Sequence, residues 1–109
     1  MHDEQKTAGL LGFAQRSGNL VSGEQAVEGS IRRGRAKLVL LATDASKNTA
    51  KKFGNLAATH GIKVLQFQDM MTMGQWIGKA RRSVVAVTDS GFAKSIERAA
   101  ATASDNRGK

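Results

Sequence analysis

In this chain of 109 residues, Gln25, Gly29, Arg32 and Arg33 stand at i, i+4, i+7 and i+8, a spacing that gathers one polar and basic stripe along a helix. If that helix starts after Ser22, its first turn, Gly23-Glu24-Gln25, presents backbone N–H groups that can reach phosphate oxygens, and Gly23 lets a backbone approach closely. Arg32, Arg33, Arg35 and Lys37 form a dense basic run just downstream, and a second cluster, Lys79-Ala80-Arg81-Arg82, precedes Ser83 and an apolar segment. A sheet could bring that cluster beside the helix start, so that two loops clamp one ligand. The chemistry is capture of a polyanion. The plainer reading of any one of these cations is a solvated surface charge.

Composition agrees with capture. Seventeen Lys and Arg face nine Asp and Glu, a formal charge of +8, which makes nucleic acid the first partner to consider and a membrane surface the second. Four Phe, one Trp and no Tyr leave little for the base-stacking platform of a single-strand binder, so recognition must work through charge, shape and polar groups. Without cysteine there are no disulfides, thiolate metal sites or cysteine nucleophiles, and two isolated histidines offer little to zinc. No metal or cofactor is expected. Neither a bilayer-spanning apolar run nor a signal-peptide pattern is present, so the expectation is a soluble, cytoplasmic monomer that does not enter membranes.

Enzymatic readings are weaker. Asp44 and Asp89 follow apolar segments, and open sheets with helices on both faces bind ligands beyond strand C-termini. Both aspartates also precede expected helices, where they serve more simply as N-caps, alongside Ser46, Asn48 and Ser90. His60, before Gly61, suits a helix C-terminus. The string Gly9-Leu10-Leu11-Gly12 has an apolar centre inside a helical stripe, unlike the exposed clamp loop of KH modules. Met70, Met71 and Met73 with Trp76 could face a partner, but their spacing fits one buried stripe with one or two exposed side chains. No catalytic residue is assigned.

The elements that must position the basic residues follow from apolar spacing. Thr7, Leu10, Leu11 and Ala14 mark a helix over about 5–16, stopped by Gly18. A short extended piece, Asn19 to Val21, leads to Ser22 and Gln25, which have capping-box spacing, and then to a helix with Val27 and Ile31 inward, beside Ala26 and Ser30. Leu38 to Ala42 is continuously apolar, as a central strand covered on both faces would be. A third helix carries Ala50, Phe53 and Ala57, and Ile62 to Phe67 is a strand. Met70, Met73 and Ile77 outline a short helix, Ser83 to Val87 a strand, and Phe92, Ile96, Ala99 and Ala100 a last helix. This alternation predicts one α/β domain over 1–109, a three-layer α/β/α sandwich around a small mixed sheet, frayed at about 1–4 and 102–109.

Three separated motifs, in order, carry a resemblance: Ser17-Gly18-Asn19-Leu20-Val21-Ser22-Gly23-Glu24, then Arg33-Gly34-Arg35-Ala36-Lys37-Leu38-Val39-Leu40-Leu41-Ala42 through Asp44, then Val85-Ala86-Val87-Thr88-Asp89-Ser90-Gly91-Phe92-Ala93. Over about residues 6–98 the chain resembles the kink-turn-binding ribosomal superfamily of the seven-Ae and thirty-e proteins, in its YlxQ-type bacterial form. The resemblance implies an α/β/α sandwich that binds bent RNA internal loops through the start of the second helix and the loop before the last strand. Carried over residue by residue, Gly23, Glu24 and Gln25 match the helix-opening motif, with Gln25 where the best-studied members place an asparagine that reads guanine edges. Arg33 matches a basic position. Lys37, Thr43 and Asp44 match positions in and after the central strand, and Arg81, Arg82 and Ser83, next to Lys79, match the second RNA-contacting loop. Two positions depart: Ala26 stands in place of a glutamate and Gly29 in place of a lysine. Two partners follow from this reading, a kink-turn RNA or, as the alternative, ribosomal RNA gripped mainly by charge, and with either the ribosome is a further expected partner.

Overall fold

The computed structural model describes residues 2–66 and 68–107, with side chains over 4–66 and 68–100. Phe67, expected to end a strand, and nearly all of the ends expected to fray lie outside the residues whose side chains are described. In chain order the elements are α1 (His2–Arg16), β1 (Leu20–Ser22), α2 (Glu24–Arg32), β2 (Leu38–Leu41), α3 (Lys47–Thr59), β3 (Val64–Gln66), α4 (Met70–Trp76), β4 (Val84–Val87) and α5 (Ser90–Arg107). The strands form one sheet in the order β1-β4-β2-β3. β4 runs antiparallel to both β1 and β2, while β2 is parallel to β3, so the sheet is mixed, as expected.

Side-chain alternation along the strands splits the core in two. Leu38 and Leu40 of β2, with Val85 and Val87 of β4, pack against Leu11 and Ala14 of α1, Met73 of α4, Ile77, and Ala93 and Ile96 of α5. Val39, Leu41, Val84 and Ala86 face the other way, onto Val27 and Ile31 of α2 and Phe53 of α3. All four residues of β2 and of β4 are buried, which is why both segments read as unbroken apolar runs. Three layers result: α1, α4 and α5, then the sheet, then α2 and α3.

Several local expectations hold. The Asp89 carboxylate accepts from the Phe92 N–H at 2.8 Å and caps α5. His60 is the C-cap residue of α3, with its Nδ1 3.0 Å from the Leu56 carbonyl. Met73 is buried and Met71 exposed, and Leu11 of the Gly9–Gly12 string is buried inside α1.

Three expectations need correction. Ser22 does not cap α2: it is the last residue of β1, paired with Val85, and the N-cap is Gly23, which forms no side-chain cap bond. The capping box with Gln25 is therefore absent. Ala26 is exposed, because α2 packs through Val27, Ser30 and Ile31 at i, i+3 and i+4, leaving Ala26 beyond the edge of that stripe. Asp44 does not cap the helix that follows it. Ser46 does, accepting from the Thr49 N–H at 3.1 Å, whereas the Asp44 carboxylate accepts from the Met70 N–H, 2.9 Å away at the start of α4. Among the described residues no helix is long and apolar enough to cross a membrane.

Candidate nucleic-acid interface

Antiparallel pairing sets the start of β4 beside the ends of β1 and β2, with Ser22 opposite Val85 and Leu41 opposite Val84. Three loops consequently share one edge of the sheet: the turn from β1 into α2, the loop before β4, and the loop after β2. Backbone bonds tie them together. The Gly23 N–H donates to the Val84 carbonyl at 3.0 Å, and the Ala42 N–H donates to the Ser83 carbonyl at 2.8 Å. Gly23 adopts φ 93° and ψ 153°, a conformation that essentially only glycine tolerates, and this lets the chain leave the strand and enter the helix within one residue.

Arg82 binds the second basic loop to the first. Its Nε donates to Ser22 Oγ at 3.0 Å, and its Nη1 lies 3.3 Å from the Ala80 carbonyl and 3.0 Å from that of Arg81. The expected juxtaposition of the Gly23 turn with the arginine pair is therefore present. The two arginines differ in character: Arg82 is half-buried and braces the loop, while Arg81 and Lys79 are exposed.

Glu24 is also a brace. Its Oε2 accepts from the Thr49 hydroxyl at 2.9 Å, and Thr49 Oγ1 in turn accepts from the Ser46 hydroxyl at 2.9 Å, so the starts of α2 and α3 are locked together. Gln25, next along α2, is exposed and forms no side-chain bond that would hold it back. Thr43 and Asp44 reach the same edge, the first through its N–H to the Gln68 carbonyl at 2.8 Å, the second through Met70.

α4 supports the loop that carries Lys79 and Arg81. The Arg82 N–H donates to the Met70 carbonyl at 3.1 Å and the Lys79 N–H to the Gly74 carbonyl at 2.8 Å. A Cβ on Gly74 would lie 2.0 Å from the Ala80 carbonyl oxygen, so the loop seats on bare backbone. Sequence reasoning missed Gly74, Ser22 and Thr49 as supports. Nothing in the sequence singled out Gly74, since Gly9 and Gly54 also stand isolated in helical patterns and have nothing within 4 Å of an added carbon.

α4 itself starts at Asp69, whose Oδ1 accepts from the Thr72 N–H at 2.7 Å. That N–H, and then the Thr72 side chain, hold the Asp69 carboxyl below its ordinary value. A folded-state pKa depressed in this way adds stability above the unfolded pKa, and the contribution disappears as pH falls through the folded value. We expect the Asp69 carboxyl, followed by NMR, to titrate below an unstructured aspartate, and the first turn of α4 to loosen only below about pH 4. A midpoint at or above the ordinary aspartate value would contradict this capping role.

Three of the anticipated residues lie away from the edge. Lys37 donates its N–H to the Val87 carbonyl at 2.7 Å, which places it at the opposite end of β2 and β4. Four residues of strand separate the two ends by about 13 Å. Arg32 and Arg33 stand at the C-terminal end of α2. Arg32 pairs with Glu28 at 3.0 Å, and Lys52 with the same carboxylate at 2.8 Å. These cations, Lys52 first, lower the pKa of Glu28. The Arg33 guanidinium instead folds back over Gly29, with Nη1 3.0 Å from where a Cβ would stand.

Fold and edge together define a class: an α/β/α sandwich with a cationic, backbone-braced three-loop edge suited to a polyanion. The chain belongs to the ribosomal protein L7Ae/L30e/S12e/Gadd45 family, whose model matches residues 5–97. It is 47% identical over 87 residues to the RNA-binding protein YlxQ of Bacillus subtilis (strain 168), covering 80% of this chain and 87% of that one. To the RNA-binding protein YlxQ of Enterococcus faecium it is 37% identical over 92 residues, covering 84% and 88%. Among solved structures, a protein of unknown function from Bacillus halodurans superposes with a TM-score of 0.85 at 32% identity, over 88% of this chain and 97% of that one. A Giardia lamblia 15.5kD RNA binding protein gives a TM-score of 0.76 at 12% identity, over 94% and 88%, a likeness of fold alone. The resemblance to a YlxQ-type member is borne out, and this membership agrees with the non-enzymatic reading.

Proposed function

We propose that the chain is an RNA-binding protein that recognises a kink-turn or related bent internal loop through the β1–α2 turn and the loop before β4. The observation that carries this reading is the Gly23 turn hydrogen-bonded to Val84 while Arg82 reaches Ser22 beside it. Backbone N–H groups at a helix start and exposed cations on one edge are what crowded phosphates at a sharp bend require. The relatives named for RNA binding support the same reading. Within it, Gln25 reads base edges from the solvent side of α2, Arg81 and Lys79 meet phosphates, and Glu24, Asp44, Arg82 and Ser83 hold the loops in place. Thr43 lies at the margin. Gly29 and the exposed Ala26 carry no charge of their own: at Gly29 the Arg33 guanidinium lies over the helix in place of a lysine side chain, while Ala26 brings no charged group to the RNA.

A gel-shift comparison of a kink-turn with a control whose G·A pairs are disrupted tests the proposal. The intact kink-turn should bind more tightly, and Gln25→Ala should erase most of that preference, about 1–3 kcal/mol for the removal of one bidentate base interaction. Arg81→Ala should weaken all RNAs alike and reduce the slope of log K against log salt by about 1. Equal affinity for both RNAs would reject kink-turn recognition.

The basic residues distant from the edge favour a second reading, a ribosome-associated protein gripping ribosomal RNA by charge. It requires Gln25→Ala to co-sediment with ribosomes as well as the unaltered protein does.

A further inference from the structure

We propose that Arg35 and Lys37, joined to the loop edge by Arg33, form a second binding surface that grips the phosphate backbone of a helical RNA stem leaving the loop site. This rests on the reading of the loop edge as an RNA site. The two residues follow α2 at the end of the sheet opposite that edge, and both are exposed. Nearby, Arg32 and Lys52 share the Glu28 carboxylate, and Lys63 pairs with Glu97. Among the described residues no carboxylate pairs with Arg33, Arg35 or Lys37. Three unpaired cations in a span of five residues repel one another, and such an arrangement is favoured when it meets a fixed row of negative charge.

Geometry names the occupant. The nine residues of α2 set Arg35 and Lys37 about 13 Å from the Gly23 turn. Arg33 bridges that interval, because Gly29 lacks the side chain that would keep its guanidinium from lying back along the helix. Gln25, Gly29 and Arg33 share the solvent stripe of α2, so the cations extend the loop site along the helix axis instead of forming an isolated cluster. The segment from Arg32 to Lys37 holds no aromatic residue, so it offers no stacking for unpaired bases and suits the backbone of a duplex.

The experiment measures affinity and its salt dependence for two kink-turn RNAs, one with a long and one with a trimmed flanking stem, and for G·A-disrupted versions of both. Trimming the stem should weaken the unaltered protein several-fold and should leave an Arg35→Ala/Lys37→Ala variant nearly unaffected. On the long-stem RNA the double variant should show a salt slope smaller by about 2, one for each phosphate that the variant no longer neutralises. Thermal unfolding of the variant should match that of the unaltered protein, since both side chains are exposed. Equal slopes, together with equal weakening on trimming, would overturn the proposal and leave the surface to an acidic protein partner. The disrupted RNAs separate the two ideas: failure of kink-turn recognition removes the preference for intact G·A pairs, whereas failure of the stem grip removes the stem-length effect.

Discussion

Gly74→Ala is expected to destabilise the protein by about 1–3 kcal/mol and to weaken RNA binding about tenfold or more. Two effects oppose each other at this position. Alanine is the better helix former by about 1 kcal/mol, which alone would stabilise α4. The new methyl group, however, would stand 2.0 Å from the Ala80 carbonyl oxygen and 2.7 Å from its carbon, and a backbone carbonyl cannot rotate aside as a flexible side chain can. The loop must lift away from α4, straining the Lys79 to Gly74 and Arg82 to Met70 bonds that orient it. Sterics should outweigh propensity, and the displaced segment is the one bearing Lys79 and Arg81. Gly54→Ala is the matched control, because Gly54 lies within α3 and has nothing within 4 Å of the added carbon. That variant should be at least as stable as the unaltered protein in urea and should bind RNA equally well. If the two variants prove indistinguishable, the close seat of the loop on α4 does not govern the site.

Gly23→Ala should cost about 1–3 kcal/mol for a different reason. Nothing lies within 4 Å of an added carbon at this position, so packing raises no objection. The cost arises from φ 93° with ψ 153°, where an L side chain collides with its own backbone. Relief requires the turn to rotate, which would pull the Gly23 N–H off the Val84 carbonyl and re-aim the first turn of α2. Asparagine often replaces glycine in the left-handed helical region, but this conformation lies outside it, so Gly23→Asn should fail as badly as alanine. The check is urea unfolding paired with gel shift: both substitutions should lower the midpoint and reduce the preference for an intact kink-turn. A variant of unchanged stability would show that the turn does not need this conformation.

The misreadings share one character. Ser22 and Gln25 have capping-box spacing, yet Ser22 is held in β1 and its hydroxyl accepts from Arg82, sixty positions away. Asp44 sits at the right distance before a helix, yet its carboxylate reaches Met70 across the loops while nearby Ser46 caps α3. In each case a local pattern competes with a partner remote in sequence, and spacing along the chain contains no record of that partner. Patterns without such competition were read correctly. Asp89 caps α5, and His60 ends α3.

Local chemistry made much of this protein legible from its residues alone. Continuous apolar runs demanded strands covered on both faces, stripes at helical spacing demanded one buried side per helix, and seventeen cations against nine anions made a polyanion the first partner to consider. Which cations act together was decided only in three dimensions. Antiparallel pairing of β4 with β1 and β2 carries residues 79–83 to the Gly23 turn and sends Lys37 to the far end of the sheet. Strand order and direction arise from how the whole chain buries its two apolar layers, so no segment of sequence taken by itself contains them.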